Sequence, residues 1–162
     1  MKHLVPALAL LALAGCGESS AGLQERINTA DEAFAPQLLS GFYHIEEHSW
    51  RWTKPSFAVA LKPPRKAPLG AVLILEYSLP QPALDRLKEV TIAATVDGVP
   101  LPAEKCTRTG LLEMRRDIPA VALSGKSGVK VEFHVSPHIP ATPDDKRDLG
   151  LIVHSVGLVK KQ

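Results

Sequence analysis

The chain has 162 residues, of which 45% are hydrophobic and 22% are charged, and its formal net charge is +2. This composition is typical of a folded globular protein and excludes an intrinsically disordered chain. A net charge this small offers no electrostatic surface for nucleic acid and argues against a polybasic membrane-binding surface, so we expect no nucleic-acid partner.

The N-terminal residues have the layout of a secretory signal peptide. A short cationic start at residues 1–3 precedes an apolar run from Leu4 to Ala14, and small residues follow at the expected cleavage site. The run of about 11 residues is too short to cross a bilayer as a helix. We therefore interpret residues 1–15 as a signal peptide.

The end of this segment, Leu13-Ala14-Gly15-Cys16, resembles the lipobox of bacterial lipoproteins. The resemblance implies that the signal is cut before Cys16 and that this cysteine carries the lipid, with palmitate among its acyl chains. Aspartate after the lipidated cysteine tends to retain Gram-negative lipoproteins in the inner membrane. Because Gly17 stands there, the resemblance implies a cell-envelope protein anchored in the outer membrane, facing the periplasm or the cell surface. The alternative is an ordinary secreted protein whose signal ends in cysteine.

Residues 16–39 are predicted to form a lipidated tether. Its first residues are small and polar, as in flexible linkers. The apolar spacing over residues 23–34 predicts a short helix, which Pro36 ends. The folded domain is predicted to occupy residues 40–162.

That domain is predicted to consist of strands and turns. Alternating or continuous apolar runs predict strands at 57–61, 71–79, 90–96, 99–101, 129–136 and 149–159, with weaker ones at 41–52, 111–117 and 120–123. Asp97-Gly98 predicts a hairpin turn, a phase shift between Val153 and Val156 predicts a bulge, and residues 84–89 allow a turn or two of helix. About eight antiparallel strands and 14 prolines predict an all-β fold, a single jelly-roll-like β-sandwich with a short N-terminal tether or helix.

Two blocks of sequence resemble a family of β-sandwich domains. The first is Ser40-Gly41-Phe42-Tyr43 with Glu46, Glu47 and Trp50-Arg51-Trp52-Thr53; the second is Asp145-Lys146-Arg147-Asp148-Leu149-Gly150-Leu151 with Val153. They resemble the accessory domains of bacterial envelope proteins, often appended to glycosyltransferases, which in turn resemble carbohydrate-binding jelly rolls. The resemblance implies a sandwich over residues 40–159, although Phe42 stands where that pattern often has tryptophan.

The first block also holds half of the eight aromatic residues. On a strand, Trp50 and Trp52 share one face and Arg51 takes the other. Such a concentration is either a corner of the core or a platform on which a sugar ring stacks, with acidic or basic neighbours orienting its hydroxyls. The candidate ligand-binding residues are Tyr43, Glu46, Trp50, Arg51 and Trp52.

His44-Ile45-Glu46-Glu47-His48 matches H-x-x-E-H, a zinc-protease motif in which both histidines bind the metal. The motif requires a helix, on which residues four apart lie about 6 Å from each other. The same residues on a strand stand about 13 Å apart, too far to share one ion. The flanking aromatic residues favour a strand or loop with solvent-facing histidines.

The remaining histidines and an acidic loop are predicted to have structural roles. His134, His138 and His154 are expected at the surface. Asp144, Asp145 and Asp148 form an acidic loop, for which calcium binding is one interpretation. We favour ion pairs of Asp145 or Asp148 with Arg51 or Arg147, which would tie the first and last strands together.

If Cys16 carries lipid, Cys106 has no partner for an internal disulfide. It is then either buried and inert or available to another chain. A catalytic thiol would need a nearby base, and no histidine is close in sequence.

No Ser-His-Asp order, G-x-S-x-G, P-loop or paired-carboxylate motif stands out in the sequence. We therefore expect no cofactor and a lipid-anchored, non-enzymatic envelope protein whose sandwich binds glycan. The alternatives are an assembly module for an envelope protein and, third, a zinc-dependent hydrolase using His44 and His48.

Overall fold

The computed structural model describes residues 22–162 and contains nine antiparallel strands, a short α-helix and two 3₁₀ turns in that part of the chain. The signal peptide, the lipobox and Cys16 lie outside the described residues. No helix between residues 22 and 162 is both long enough and apolar enough to cross a membrane. The elements are β1 Arg26–Asn28, β2 Leu38–Glu46, β3 Trp50–Leu61, β4 Ala71–Leu79, α1 Gln81–Leu87, β5 Val90–Val96, β6 Val99–Cys106, β7 Gly110–Ile118, β8 Val129–Ser136 and β9 Ile152–Lys160.

The strands form a β-sandwich whose sheets share one strand. The first sheet has the order β2–β3–β8–β5–β6, and the second has the order β3–β9–β4–β7. Strand β1 pairs with β9 beyond the point where β3 leaves it. All of these pairings are antiparallel, as the alternating patterns predict.

Strand β3 joins the two sheets because it changes partner along its length. Arg51 and Trp52 pair with β9, whereas residues 56–61 pair with β8. Pro55 lies between the two halves. Proline has no backbone N–H to donate, so it fits the point where a strand leaves one ladder and joins another.

The core lies between the two sheets and takes one side chain in two from most of their strands. The ring of Phe57 stacks on that of Phe133 at 4.7 Å. Each large aliphatic side chain that is fully buried stabilises the fold by about 1.5–3 kcal/mol. Members no more than 3% exposed include Val59, Leu61, Ile92, Val131 and Phe133 from the first sheet and Leu73, Leu75, Tyr77, Val156 and Leu158 from the second.

Arg116 closes the far side of the sandwich, where the edge strands β6 and β7 face each other. From β7 it donates to the Pro102 carbonyl at 2.5 Å and the Ala103 carbonyl at 2.9 Å, and it pairs with the Glu104 carboxylate at 2.5 Å. These backbone acceptors on β6 would otherwise be open to another strand. The arginine thus turns two edges into a nearly closed sheet.

Most strand predictions are confirmed. The predicted strands at 71–79, 90–96 and 129–136 match β4, β5 and β8. The register shift between β4 and β9 falls at His154, inside the predicted bulge. Asp97 and Gly98 have φ values of 45° and 80°, the left-handed pair that the hairpin requires.

Three local predictions are wrong. Residues 23–34 do not form a helix, because β1 pairs with β9 and a 3₁₀ turn runs over Glu32–Gln37. Residues 120–123 form a 3₁₀ turn instead of a strand. The predicted strand at 41–52 is two strands, β2 and β3, with a turn between them.

The folded unit also begins earlier than the predicted boundary at residue 40. Ile27 and Thr29 are 0% exposed, and Gln37 is 5% exposed. The Gln37 side chain holds Gln24 and Ala60 through hydrogen bonds. Residues 24–39, assigned to the tether by sequence, are therefore part of the sandwich.

Candidate functional site

The turn between β2 and β3 sets the geometry of the predicted site. Glu47 and His48 both have positive φ, 47° and 55°, and the Ser49 N–H donates to the Glu46 carbonyl. The turn brings Glu46 directly opposite Trp50. The H-x-x-E-H residues thus lie on a strand and a tight turn, as predicted, and not on the helix that the zinc motif requires.

Both tryptophans lie outside the hydrophobic core. Trp50 and Trp52 are half-buried and share one face of β3, with Glu46 opposite Trp50 and Ile152 opposite Trp52. Side chains of directly opposed residues lie on the same face of a sheet. That face is the outer one, because Arg51 and Val153 point the other way, toward the interior.

Arg147 joins this face to the loop before β9. Its guanidinium bonds the Glu46 carboxylate at 2.5 Å and both oxygens of Asp145, and it lies over the Tyr43 ring at 5.3 Å from the centroid. The Tyr43 hydroxyl donates to the Asp148 carbonyl at 3.0 Å. Of the predicted ion pairs of Asp145 or Asp148 with Arg51 or Arg147, the one between Asp145 and Arg147 is present, and Glu46 is a further partner of Arg147.

These contacts fix the charges of the cluster. The Arg147 guanidinium lowers the pKa of Asp145 to about 2, and the two carboxylates raise the pKa of Arg147. Burial, followed by the nearby Asp148 carboxylate, raises the pKa of the Tyr43 hydroxyl. At neutral pH the cluster therefore presents a neutral phenol beside the ionised Asp145 carboxylate and the Arg147 guanidinium. We call Tyr43, Glu46, Trp50, Trp52 and Arg147 the aromatic face.

Arg51 is not part of this face. It is 8% exposed and donates to the carbonyls of Thr29 and Tyr43 and to Glu32. Its guanidinium holds the 3₁₀ turn and β1 against the β2–β3 hairpin. The sequence-based assignment of Arg51 to ligand binding is therefore not supported by its position.

The Trp50 indole N–H is buried and has no hydrogen-bond partner among residues 22–162. An unpaired buried donor costs about 1–3 kcal/mol. Among the buried side-chain nitrogen and oxygen atoms of residues 22–162, this is the one that lacks a hydrogen-bond partner. It lies on the aromatic face.

The remaining histidines are dispersed. His134 bonds Ser56 at 2.9 Å on the first sheet, His138 lies 3.8 Å from Asp148, and His154 bonds Ser78 at 2.7 Å on the second sheet. His134 is exposed, and His138 and His154 are partly exposed, so all three lie at the surface as predicted. Within residues 22–162, no three histidine, cysteine, aspartate or glutamate side chains are grouped to hold a metal ion. Cys106 is buried and its thiol contacts the Arg108 carbonyl.

Sequence reasoning missed two features that side-chain patterns alone do not reveal. One is a polar network on the outer face of the second sheet, in which Glu76 bonds Arg26 and Ser155 beside His154. The other is a set of shallow grooves along β2. One of about 260 Å³ lies over the first sheet near Ser56, Ala93 and His134, and one of about 360 Å³ lies near Glu32 and Phe42.

The sequence matches no protein-family model, and no curated protein is significantly similar to it. Several solved structures are weakly similar. A family GH115 4-O-methyl-alpha-glucuronidase with specificity for decorated arabinogalactans matches at 11% identity and a TM-score of 0.45, covering 100% of this chain and 20% of that one. The CBM36-1 domain of a multidomain xylanase from the hindgut metagenome of Trinervitermes trinervoides matches at 8% identity and a TM-score of 0.37, covering 63% and 69%.

An acetyl xylan esterase from the rumen bacterium Butyrivibrio proteoclasticus matches at 8% identity and a TM-score of 0.44, covering 86% of this chain and 34% of that one. This chain thus spans about a fifth of the glucuronidase and a third of the esterase. Similarities this low assign neither an activity nor a ligand to it.

Proposed function

We propose that this chain is a lipid-anchored, non-enzymatic envelope protein whose sandwich binds a carbohydrate on the aromatic face. The lipid anchor is inferred from the sequence Leu13-Ala14-Gly15-Cys16. The observation that carries the binding proposal is the position of the two tryptophans. They lie on the outer face of β3, outside the core, beside a charged cluster that is already assembled.

The aromatic face has the two components that a sugar site needs. Indole rings supply large, rigid apolar area at little conformational cost, and sugar rings stack their C–H faces on such surfaces. Glu46 and Arg147 supply polar groups held in fixed positions by their mutual bond and by Asp145. A ligand that bonds them does not have to order these long side chains first.

The alternatives receive less support from the structure. An edge-pairing protein partner needs an open, regular edge strand. Arg116 occupies the carbonyls of β6, and the pairing of β2 with β3 shifts register three times, which makes β2 an irregular edge. A zinc hydrolase needs His44 and His48 one helical turn apart, and they lie on a strand and a turn.

The binding proposal is tested with the chain from Cys16 onward carrying Cys16→Ser, in affinity electrophoresis against soluble peptidoglycan fragments and purified lipopolysaccharide. We expect at least one glycan to retard it, and we expect Trp52→Ala to weaken that retardation roughly tenfold or more, as for a central aromatic contact. Leu111→Ala is the matched control, because Leu111 is 71% exposed elsewhere on the second sheet. Retardation that survives the loss of both tryptophans would exclude the aromatic face.

The anchor is tested by metabolic labelling of the full chain with radiolabelled palmitate. Cys16→Ser is expected to abolish the label, whereas Cys106→Ser, the other cysteine, is expected to retain it. Label that persists in Cys16→Ser would contradict lipidation at Cys16.

A further inference from the structure

The described chain enters the fold at the end of the sandwich opposite the aromatic face. The Gln24 carbonyl accepts from the Lys62 N–H at 3.0 Å, and the Leu23 side chain packs against Gly128. Strand β3 has 12 residues and runs from Trp50 to Leu61, so these two ends are up to about 36 Å apart. We call the end formed by residues 22–24, 97–99, 62–70 and 119–128 the anchor end.

The anchor end carries a basic depression. Its volume of about 840 Å³ is the largest of the grooves described, and its charged lining residues are Lys62, Arg65, Lys66 and Lys126, with no carboxylate among them. Lys126 pairs with Asp97. No carboxylate of residues 22–162 lies within 4.0 Å of the side-chain nitrogens of the other three cations. Positive charge is therefore concentrated here although the whole chain is nearly neutral.

Exposed aliphatic side chains stand beside these cations. Leu69 is 62% exposed, Val121 is 81% exposed and Val99 is 43% exposed. Gly70, next to Leu69, packs against the backbone of Pro119 and Ala120, so the loops that carry Leu69 and Val121 are neighbours. Isolated exposed aliphatic residues need no explanation, but three of the five large ones in residues 22–162 lie on this one end.

We infer that the anchor end docks on a membrane surface that contains anionic phospholipid head groups. Cations attract the head groups, and short aliphatic side chains enter the interface, which is the combination that holds peripheral proteins on bilayers. The inference rests in part on the proposed lipid anchor, because the six residue steps from Cys16 to Gly22 span at most about 20 Å. Within that reach the anchor end meets the membrane first, and the aromatic face points away from it.

The inference is tested with the Cys16→Ser chain from residue 16 onward, which contains every described strand and carries no lipid. Its sedimentation is measured with vesicles of equal parts phosphatidylcholine and phosphatidylglycerol and with vesicles of phosphatidylcholine alone. We expect binding to the anionic vesicles that falls as salt rises. Each cation near the surface contributes about a factor of five, so Lys62→Gln, Arg65→Gln and Lys66→Gln together are expected to weaken binding about 100-fold.

A matched variant separates local docking from general charge attraction. Lys54, Arg86 and Arg108 are exposed cations outside the anchor end, and their joint change to glutamine removes the same net charge. This triple variant is expected to bind like the parent chain. The double variant Leu69→Ser with Val121→Ser is expected to weaken binding at low salt and at high salt alike. Equal loss in the two triple variants, or equal binding to both vesicle types, would overturn the inference. Because the chain tested has no lipid, these outcomes are independent of whether Cys16 is acylated.

Discussion

Arg51 and Arg147 are both arginines near the same hairpin, yet they act on opposite faces of it. Arg51 points inward and donates to backbone carbonyls of elements that precede it, while Arg147 reaches Glu46 from a loop about a hundred residues further along the chain. Alternation along the strand predicts that Arg51 faces away from the tryptophans, and this is confirmed. Which face is the interior depends on the pairing of β3 with β9, and a local pattern does not contain that information.

His154 makes the stability of the sandwich depend on pH. Burial lowers its pKa, against the opposing effect of the Glu76 carboxylate. The folded state therefore binds the proton less readily than the unfolded state, so its stabilising contribution is complete above the unfolded pKa of about 6.5 and is lost as pH falls through the lower folded pKa. We expect thermal midpoints measured between about pH 7 and pH 5 to fall less steeply in His154→Gln than in the parent chain.

His44→Gln serves as the control for this series, because His44 is exposed on β2. It is expected to follow the pH profile of the parent chain. A parallel decline in all three proteins would show that His154 does not contribute.

At the scale of elements, the strands are predictable where the signal is local. The alternation of β8 and the Asp97-Gly98 turn are complete within a few residues, and both match the structure. Strand β1 has only three residues, and its conformation comes from β9, more than a hundred residues away. The helix-like spacing of apolar residues over 23–34 was therefore outweighed by pairing with β9. A short stretch of sequence around β1 gives no sign of that pairing.

The closure between β6 and β7 gives a test at this scale. Arg116→Ala removes hydrogen bonds to two β6 carbonyls and a partly buried ion pair with Glu104, so we expect a loss of about 2 kcal/mol in the free energy of unfolding by urea. Arg116→Lys keeps the positive charge but loses the forked set of guanidinium donors. Its free energy of unfolding is expected to lie between those of the parent chain and Arg116→Ala.

Arg115→Ala is the neighbouring control. Arg115 is exposed and makes one ion pair, with Glu113, so its loss is expected to change stability by less than about 0.5 kcal/mol. An Arg116→Ala variant as stable as Arg115→Ala would show that the edges stay closed without the arginine.

For the whole molecule, the sequence predicts the sandwich class and an ion pair in the acidic loop that contains Asp145. It does not predict the extent of the folded unit or the anchor end. The cations of residues 62–66 share a loop with Leu69, but strands separate that loop from Val99 and Val121. They form one surface only because the folded sandwich places these loops together at one end. The net charge of the whole chain is therefore a poor guide to the charge of a local surface.

The extent of the domain is tested by beginning the chain at Ser40, the boundary predicted from sequence. This removes the fully buried Ile27 side chain and leaves Arg51 without Thr29 and Glu32. Loss of a large buried aliphatic group alone costs about 2–5 kcal/mol, and the uncompensated guanidinium adds to it. We expect the shortened chain to unfold at a much lower urea concentration than a chain begun at Gly22. The urea midpoint of the Gly22 chain carrying Ile27→Ala is expected to lie between the other two.

Equal stability of the chains begun at Gly22 and Ser40 would mean that residues 22–39 contribute nothing to the fold. The midpoint of Ile27→Ala separates the apolar contribution of β1 from the contribution of its polar contacts.

The central place of β9 also orders the events of biosynthesis. Strand β9 is the last of the nine to leave the ribosome, yet it pairs with β1, β3 and β4 and so holds the middle of the second sheet. Until it emerges, β1 has no partner and β4 has only β7. The second sheet of the nascent chain, and with it the closed core, is therefore completed only after residue 160 has been synthesised.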